Sequence, residues 1–396
     1  MAIFADTSTY TLAYAIESTF DEAVTGSGGA YKLLRNTGES MNTSLESARS
    51  DEIDSSRQYT GSVHVSGASA GSVNFQLSYG EYDEFLQAVL QSADWATAYT
   101  DTVTDIATKV LTGITSTTGL VIGQSVKIAG LTETTEDGVY TIKSVNSSTS
   151  ITLVEAITDE AAGSITIDTN GHIVNGSTQR SYTFEKDFQV DGTSNYFAMS
   201  GMRASSLSMS FAAGSILSGE IAFQGATGVG SDATPQDSGG YQAAGTNELM
   251  NSVSNVNGLA IDAVDIAGDL TNIPVTFQEM SISLNNNMRD QSAIGNLFPA
   301  GIGSGRIDVE ATATLYFSDQ NIFDKFIIND SVQLRFQLED GAGNAYGFIL
   351  PELKIASHEV TASGADADVM ASVTFAGIKD ARFGTESSIL ITRMVA

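Results

Sequence analysis

The stretch Gly71–Gln91, GSVNFQLSYGEYDEFLQAVLQ, changes period in its middle. Its first part alternates: Val73, Phe75 and Leu77 are apolar and Ser72, Asn74 and Gln76 polar, as in a strand with one buried face. Its second part places Tyr82, Phe85, Leu86, Val89 and Leu90 at the i, i+3, i+4, i+7, i+8 spacing of one helix face. Glu81, Asp83 and Glu84 put negative charge in the first turn, where the helix dipole favours it. This strand-then-helix unit is the key to the rest of the chain.

It occurs twice. Ile307, Val309, Ala311, Ala313 and Leu315 alternate in the same way and lead into Ile322, Phe326 and Ile327, with Phe326 at an offset of 240 from Leu86. Both helices are expected to pack on the core, through Tyr82, Phe85, Leu86 and Val89 in the first and Ile322 and Phe326 in the second. Ser40-Met-Asn-Thr-Ser-Leu45 matches Glu279-Met-Ser-Ile-Ser-Leu284 at an offset of 239. The hairpin FQVDGTSNYF (188–197) matches FQLEDGAGNAYGF (336–348) at 148, and Phe223-Gln-Gly225 matches Phe375-Ala-Gly377 at 152. Asp-Gly and Gly-Asn supply the positive-φ turn chemistry of hairpins.

The jump in offset locates an insertion, since 102 residues separate Leu86 from Phe188 but only 10 separate Phe326 from Phe336. Within the excess, Ser125–Ile128, Gly138–Lys143, Ser150–Val154 and Ser164–Ile167 read as strands of a small all-β module. Such a module is expected at the surface, where chain ends emerge. The sequence thus divides into an N-terminal arm (1–30), a first unit (31–95 and 180–225), the inserted β-domain (96–179), an acidic linker (226–271), a second unit (272–378) and a tail (379–396). The fold class is mainly β, α+β in detail: two tandem units of largely antiparallel sheet, each with one flanking helix, plus the inserted domain.

Bulk composition sets limits on function. Hydrophobic residues make up 42% and charged residues 16%, the balance of a chain with real cores. There are no cysteines, so disulfides and thiolate metal sites do not arise. MAIFADTSTY carries no basic n-region and places Asp6 early, which argues against a signal peptide, and no apolar run has the length of a membrane span. The net charge is −29; residues 226–271 hold acids and no base, and only the tail is positive. Gripping nucleic acid takes clustered Lys and Arg, and none is present.

Site chemistry is missing as well. His64, His172 and His358 lie far apart, and no metalloprotease, nucleophile-elbow or P-loop pattern occurs. Gly301-Ile-Gly-Ser-Gly305 lacks the Lys-Ser/Thr of a phosphate loop and reads as a mobile loop tip. Ala365-Asp-Ala-Asp368 and Asp191-Gly192 lack the ligand spacing of a Ca²⁺ loop and read as turns. No cofactor, metal or catalytic residue is called for, so function is expected to come from assembly.

At that point the sequence resembles the major tail tube proteins of long-tailed siphophages. The resemblance rests on Gly71–Gln91, on Asn175-Gly-Ser-Thr-Gln-Arg-Ser-Tyr-Thr-Phe-Glu-Lys186 after the insert, and on the return strand Ser218-Gly-Glu-Ile-Ala-Phe-Gln-Gly225. The insert is similar to β-modules of phage tail proteins at Asp137–Val145 and Asp159–Gly163. The resemblance implies two tandem tail-tube-type β-sandwich units, each with one flanking helix, in a structural, non-enzymatic subunit of a non-contractile tail tube, assembled in the host bacterial cytoplasm. Six units make a ring in that family, so two units per chain imply a trimer with pseudo-six-fold symmetry. Its stacked rings form a conduit through which DNA is ejected without specific binding. Tape-measure and terminator proteins are the other implied partners, and membrane insertion is not implied. Read from the residues alone, a surface adhesin or glycan-binding β protein is the alternative.

Two polar segments come after the matched Met–Leu strands, and the resemblance implies that the equivalent hairpin loop reaches the neighbouring ring. The candidates for inter-ring contact are Arg49, Asp51, Glu52, Asp54 and Arg57 in the first segment, and Arg289, Asp290, Leu297 and Phe298 in the second. An apolar tip at Leu297-Phe298-Pro299 is expected to have a partner.

Overall fold

A computed structural model of the chain describes residues 4–53, 55–56, 58–232, 234–264, 270–362, 364–380 and 386–396. In chain order the first elements are β1 (Thr11–Ile16), β2 (Lys32–Leu33), β3 (Gly38–Glu39), β4 (Asn42–Arg49), β5 (Ser62–Gln76) and the helix α1 (Asp83–Val89). Next come β6 (Tyr99–Ala107), β7 (Val110–Thr112), β8 (Ser125–Ala129), β9 (Gly138–Ser147), β10 (Ser150–Leu153) and β11 (Glu160–Thr169). They are succeeded by β12 (His172–Val174), β13 (Tyr182–Val190), β14 (Thr193–Ala212), β15 (Ser218–Gly225) and β16 (Gly228–Asp232). The remainder opens with β17 (Val256–Val264), β18 (Leu270–Ile273), β19 (Thr276–Asn285), β20 (Arg289–Gln291), β21 (Gly301–Gly303), β22 (Asp308–Tyr316) and α2 (Asn321–Ile327). It closes with β23 (Ser331–Glu339), β24 (Ala345–Ala362), β25 (Val369–Gly377) and β26 (Leu390–Met394).

The fold is mainly β, and its backbone is one long antiparallel ladder, β4–β5–β15–β14–β19–β22–β25–β24. Two shorter sheets complete the halves: β2–β1–β13–β14–β16 in the first, and β18–β17–β23–β24–β26–β12 in the second. β14 and β24 each serve two sheets, the first part in the short sheet and the second in the ladder. Phe85 of α1 fills the space between sheets, with its ring against Tyr14 and Phe184 of the short sheet and Phe223 of the ladder.

The two halves match down to their irregularities. The bulge in β14 between Ala204 and Ser206, opposite β15, recurs in β24 between Ile355 and Ser357, opposite β25. The register break between Tyr182 and Phe184 recurs between Val332 and Leu334. Leu77 N–H donates to the Leu217 carbonyl as Phe317 N–H does to Val369. Bulges do not follow from alternation, so their repetition aligns the strands independently of hydrophobic pattern. In the first hairpin, Asp191 and Gly192 form the two-residue turn with φ of 51° and 74°.

Several expectations change. The ladder places Glu39 opposite Val73 and Met280 opposite Ala313, which makes the true offset of that block 241 and not 239. A slip of two residues keeps every side chain on its face, so alternation alone is blind to it. Residues 226–271, read as a linker, carry β16, which pairs with β14 in the first short sheet, and β17 and the start of β18, which extend the second short sheet from β23. The N-terminal arm holds β1, whose Leu12 and Tyr14 are buried, and the tail holds β26, buried at Leu390 and Ile391. Gly301–Gly303, read as a loop tip, is a strand paired with Arg289–Gln291.

The six strands from Tyr99 to Thr169 close into a barrel, β10–β7–β6–β11–β8–β9, around its own core of Val103, Ile128, Ile142, Ile151 and Ile165. Sequence patterning locates β8 to β11 but not β6 and β7, which their partners in the barrel define. The barrel is docked on the second half. Lys127 Nζ donates to the Gly343 carbonyl at 3.0 Å, and Ser125 N–H to Thr392 Oγ1 at 3.3 Å. Arg335 joins Asp262 of β17, at 2.8 Å, to Glu155 of the barrel.

Candidate assembly surfaces

The ladder has one face packed on the cores and one open. Leu207, Met209, Phe211, Met280, Ile282 and Leu284 point inward and are buried. Their neighbours Ser208, Glu220, Ser283, Glu279, Glu310, Ser372 and Glu359 point the other way, and all are exposed. β5, β15, β19, β22 and β25 contain no Lys or Arg, and neither do β14 and β24 beyond their bulges, at 206–212 and 357–362. The open face therefore carries negative charge with no cation among these strands.

Among the described residues, neither end of this ladder is paired with a further strand; at the β4 end Met41 N–H donates to Glu39 at 2.7 Å and the Met41 carbonyl accepts from Lys186. Inside the chain, β14 presents residues 206–212 to β19. The equivalent part of β24 is paired with β25 on one side only, and β4 is paired with β5 on one side only. Beside the β4 edge lies a groove of about 480 Å³, lined by Met41, Leu45, Phe188, Phe197 and Met199. At the β24 end, Phe317, Phe323, Ile327, Ile328 and Val360 are exposed.

The two polar segments sit differently. The β4–β5 hairpin projects, with Arg49 over the Tyr59 ring at 5.0 Å and Thr60 donating to Glu52 at 2.7 Å. Asp51 and Glu52 are exposed there, as is Ile53; Asp54 and Arg57 lie outside the described residues. The second segment, 286–305, folds back across the first half. Asp290 accepts from Gln224 at 2.7 Å, Arg289 donates to the Ser304 carbonyl at 3.3 Å, and Ser304 accepts from Gln91 and Gln179 at 2.7 Å each. The Leu297 carbonyl accepts from Gly67 N–H at 2.9 Å. Phe298 lies so close to Gly67 that a Cβ there would stand 2.7 Å from its ring. The expected apolar tip is thus a latch within the chain: Phe298 is half-buried and Pro299 buried, and the fully exposed apolar residue is Ile294, which sequence reading missed.

The helices differ too. Tyr82, Phe85, Leu86 and Val89 are all buried, whereas in α2 Ile322 is buried and Phe326 only partly so. Residues of the second half and the tail hold both ends of α1. Tyr346 hydrogen-bonds Asp83, Arg393 pairs with Asp83 at 2.8 Å, and Asn286 Nδ2 donates to the Val89 carbonyl at 2.8 Å. Burial, and then the Asp83 carboxylate, raises the Tyr346 hydroxyl far above its ordinary pKa, so it stays a donor.

Comparison with known families agrees with this geometry. A model of the family described as phage tail tube protein matches residues 7–377. The chain belongs to the phage tail tube protein family. The match runs through the barrel and the second half, so every strand of the long ladder lies inside it, and β26 lies beyond it. No curated protein matches the sequence. For a tail tube protein the relevant chemistry is self-assembly, and the exposed edges, the groove and the base-free face are its candidate surfaces. No cluster of three or more metal-ligating side chains occurs among the described residues of this tail tube protein, and none of their helices is long and apolar enough to cross a membrane.

Proposed function

We propose that the chain is the tube subunit of a long non-contractile siphophage tail. It arose by duplication, so three copies close into a pseudo-hexameric ring. Rings stack into a conduit that delivers DNA into the host. The observation that carries this reading is the pair of matched edges on one ladder, with no further strand paired on either among the described residues: a head-to-tail contact that closes gives a ring. Unpaired edges of this length are otherwise a liability.

The open face of the ladder faces the lumen. Glu220, Glu279, Glu310 and Glu359, with no Lys or Arg beside them on these strands, repel phosphate, so DNA slides past without settling. Stacking falls to the projecting β4–β5 hairpin, with Arg49, Asp51 and Glu52 and the apolar Ile53 at its end. The second segment contributes through Ile294 and Arg289. Assembly takes place in the bacterial cytoplasm with tape-measure and terminator partners. An adhesin reading calls for an open aromatic site, but Trp95, the single tryptophan, lies under Arg393 at 4.4 Å.

Electron microscopy of the purified protein tests the proposal. The expected result is rings or tubes of three-fold symmetry with the acidic face inward. A monodisperse monomer, or a lumen lined by net positive charge, overturns it.

A further inference from the structure

The two halves of the chain meet along β14 and β19, and among the described residues each of these two surfaces has a counterpart at an end of the ladder with no strand paired on it. The repeated bulges give the conversion. Ala204 corresponds to Ile355 and Ser206 to Ser357, an offset of 151; the β19 block corresponds to the β3–β4 block at 241. Within the chain, Ser206 faces Asn285, Ser208 faces Ser283, Met209 faces Ile282 and Ser210 faces Ser281.

Resting on the ring reading above, we infer that this internal junction is the template for the junction between copies, residue for residue. β24 of one copy pairs antiparallel with the β3–β4 edge of a second copy, with Ser357 opposite Ser44, Glu359 opposite Asn42, Val360 opposite Met41 and Thr361 opposite Ser40.

Burial supports that assignment. Met209 and Leu77, the counterparts of Val360 and Phe317, are 3% and 2% exposed inside the chain, whereas Val360 and Phe317 are 44% and 39% exposed. The occupant of the groove beside β4 follows from the same conversion. The repeated register break aligns Phe188 with Leu338 and Phe197 with Phe348, offsets of 150 and 151 in place of the 148 of the sequence match, and both counterparts are fully buried. Val360 of a second copy, opposite Met41 as Met209 is opposite Ile282, is therefore the side chain that reaches the groove of Met41, Leu45, Phe188, Phe197 and Met199, and Phe317 is covered at the same seam as Leu77 is inside the chain. The counterpart of the Tyr346 contact on Asp83 of α1 is then made on Phe323 of α2 by the start of β14. Glu359 and Asn42 both stand on the open face, so the pairing continues the polar lining across the seam without burying a charge.

The chain has no cysteine, which makes disulfide trapping clean. Directly opposed residues of an antiparallel pair lie about 4.5–5.5 Å apart at Cα, within disulfide reach. A slip of two residues adds roughly 6.6 Å and takes the pair out of reach. The experiment is mild oxidation of the full-length assembled protein, read on a non-reducing gel, comparing Glu359→Cys/Asn42→Cys with Glu359→Cys/Ser44→Cys and Glu359→Cys/Ser40→Cys. Covalent dimers and trimers from the first pair, and monomers from the other two, are expected. Cross-linking of a shifted pair in place of the first overturns the register while leaving rings intact. Rings seen by microscopy with no cross-link from any pair overturn the template. Failure to form any oligomer overturns both the template and the ring reading. As a second readout, Val360→Lys with Phe317→Ser should abolish assembly and leave a folded monomer, because both side chains are already exposed in the single chain; rings formed by that variant overturn the docking.

Discussion

The helices α1 and α2 occupy matched places in the two halves, each placed after a ladder strand and packed on the long strand that serves two sheets. One is sealed and the other is not. The apolar face of α1 is wholly buried, and its ends are held by Tyr346, Arg393 and Asn286 of the other half. α2 has only Ile322 buried, and its Phe323, Ile327 and Ile328 face outward, with His358 set against the Phe323 and Phe326 rings. The difference lies both in the helices and in their neighbours: at the offset of 240, Phe85 and Val89 of α1 match Lys325 and Asn329, while Asp83 and Gln87 match Phe323 and Ile327, and only α1 has an adjoining unit in the same chain.

That comparison can be broken by substitution. Phe85→Ala in α1 should cost about 3–5 kcal/mol, since it empties a site walled by Tyr14, Tyr182, Phe184 and Phe223. Urea unfolding of the single chain measures it, and a cost near that of a surface substitution would show that the site collapses or that α1 is not a core element. Arg335→Ala should rank close behind at about 3–5 kcal/mol, because Asp262 is buried and would be left without its cation. It should also loosen the inserted barrel, read as faster amide exchange at Glu155. Tyr346→Phe removes the hydroxyl that Asp83 and the Gly80 amide share, for about 1–3 kcal/mol. Phe323→Ser, at the matched place in α2, should change monomer stability by less than about 0.5 kcal/mol yet weaken assembly.

The smallest effect is a pH dependence. Burial lowers the pKa of His172 and of His358, so the unfolded chain takes up protons that the folded chain resists. Their contribution is fully present above the unfolded value of about 6.5 and is lost as pH falls below it. Glu185 has the opposite sign, since burial raises its carboxyl and favours folding as it protonates, at lower pH. A melting temperature that falls between pH 7.5 and about 5.5, with a shallower slope in His172→Gln, is the expected result. An unchanged slope in that variant would remove His172 from the account.

Much of the fold is legible because it is written twice. The alternation of Val73, Phe75 and Leu77, the helical spacing from Tyr82 to Leu90 and the Asp191-Gly192 turn each arise from local physical chemistry, and all are present. Comparing offsets isolates the inserted segment without any coordinates. Local pattern is blind to the rest. β1, β17 and β26 are short or interrupted by polar residues, and only their partners in the short sheets make them strands. Pattern aligns the block at Met41 two residues out, because a shift of two preserves each face. Leu297 and Phe298 read as an apolar tip awaiting a partner, and the chain itself supplies that partner at Gly67.

By itself, then, the sequence determined the strand-helix unit, its repetition, the turns and the scarcity of cations along the ladder, since these depend on residue type and spacing alone. Tertiary structure decided the register, the closure of the barrel, which loop projects and which folds back, and which helix face is left open. Those depend on contacts between residues far apart in the chain, where two sequences of equal local merit differ only in what they meet.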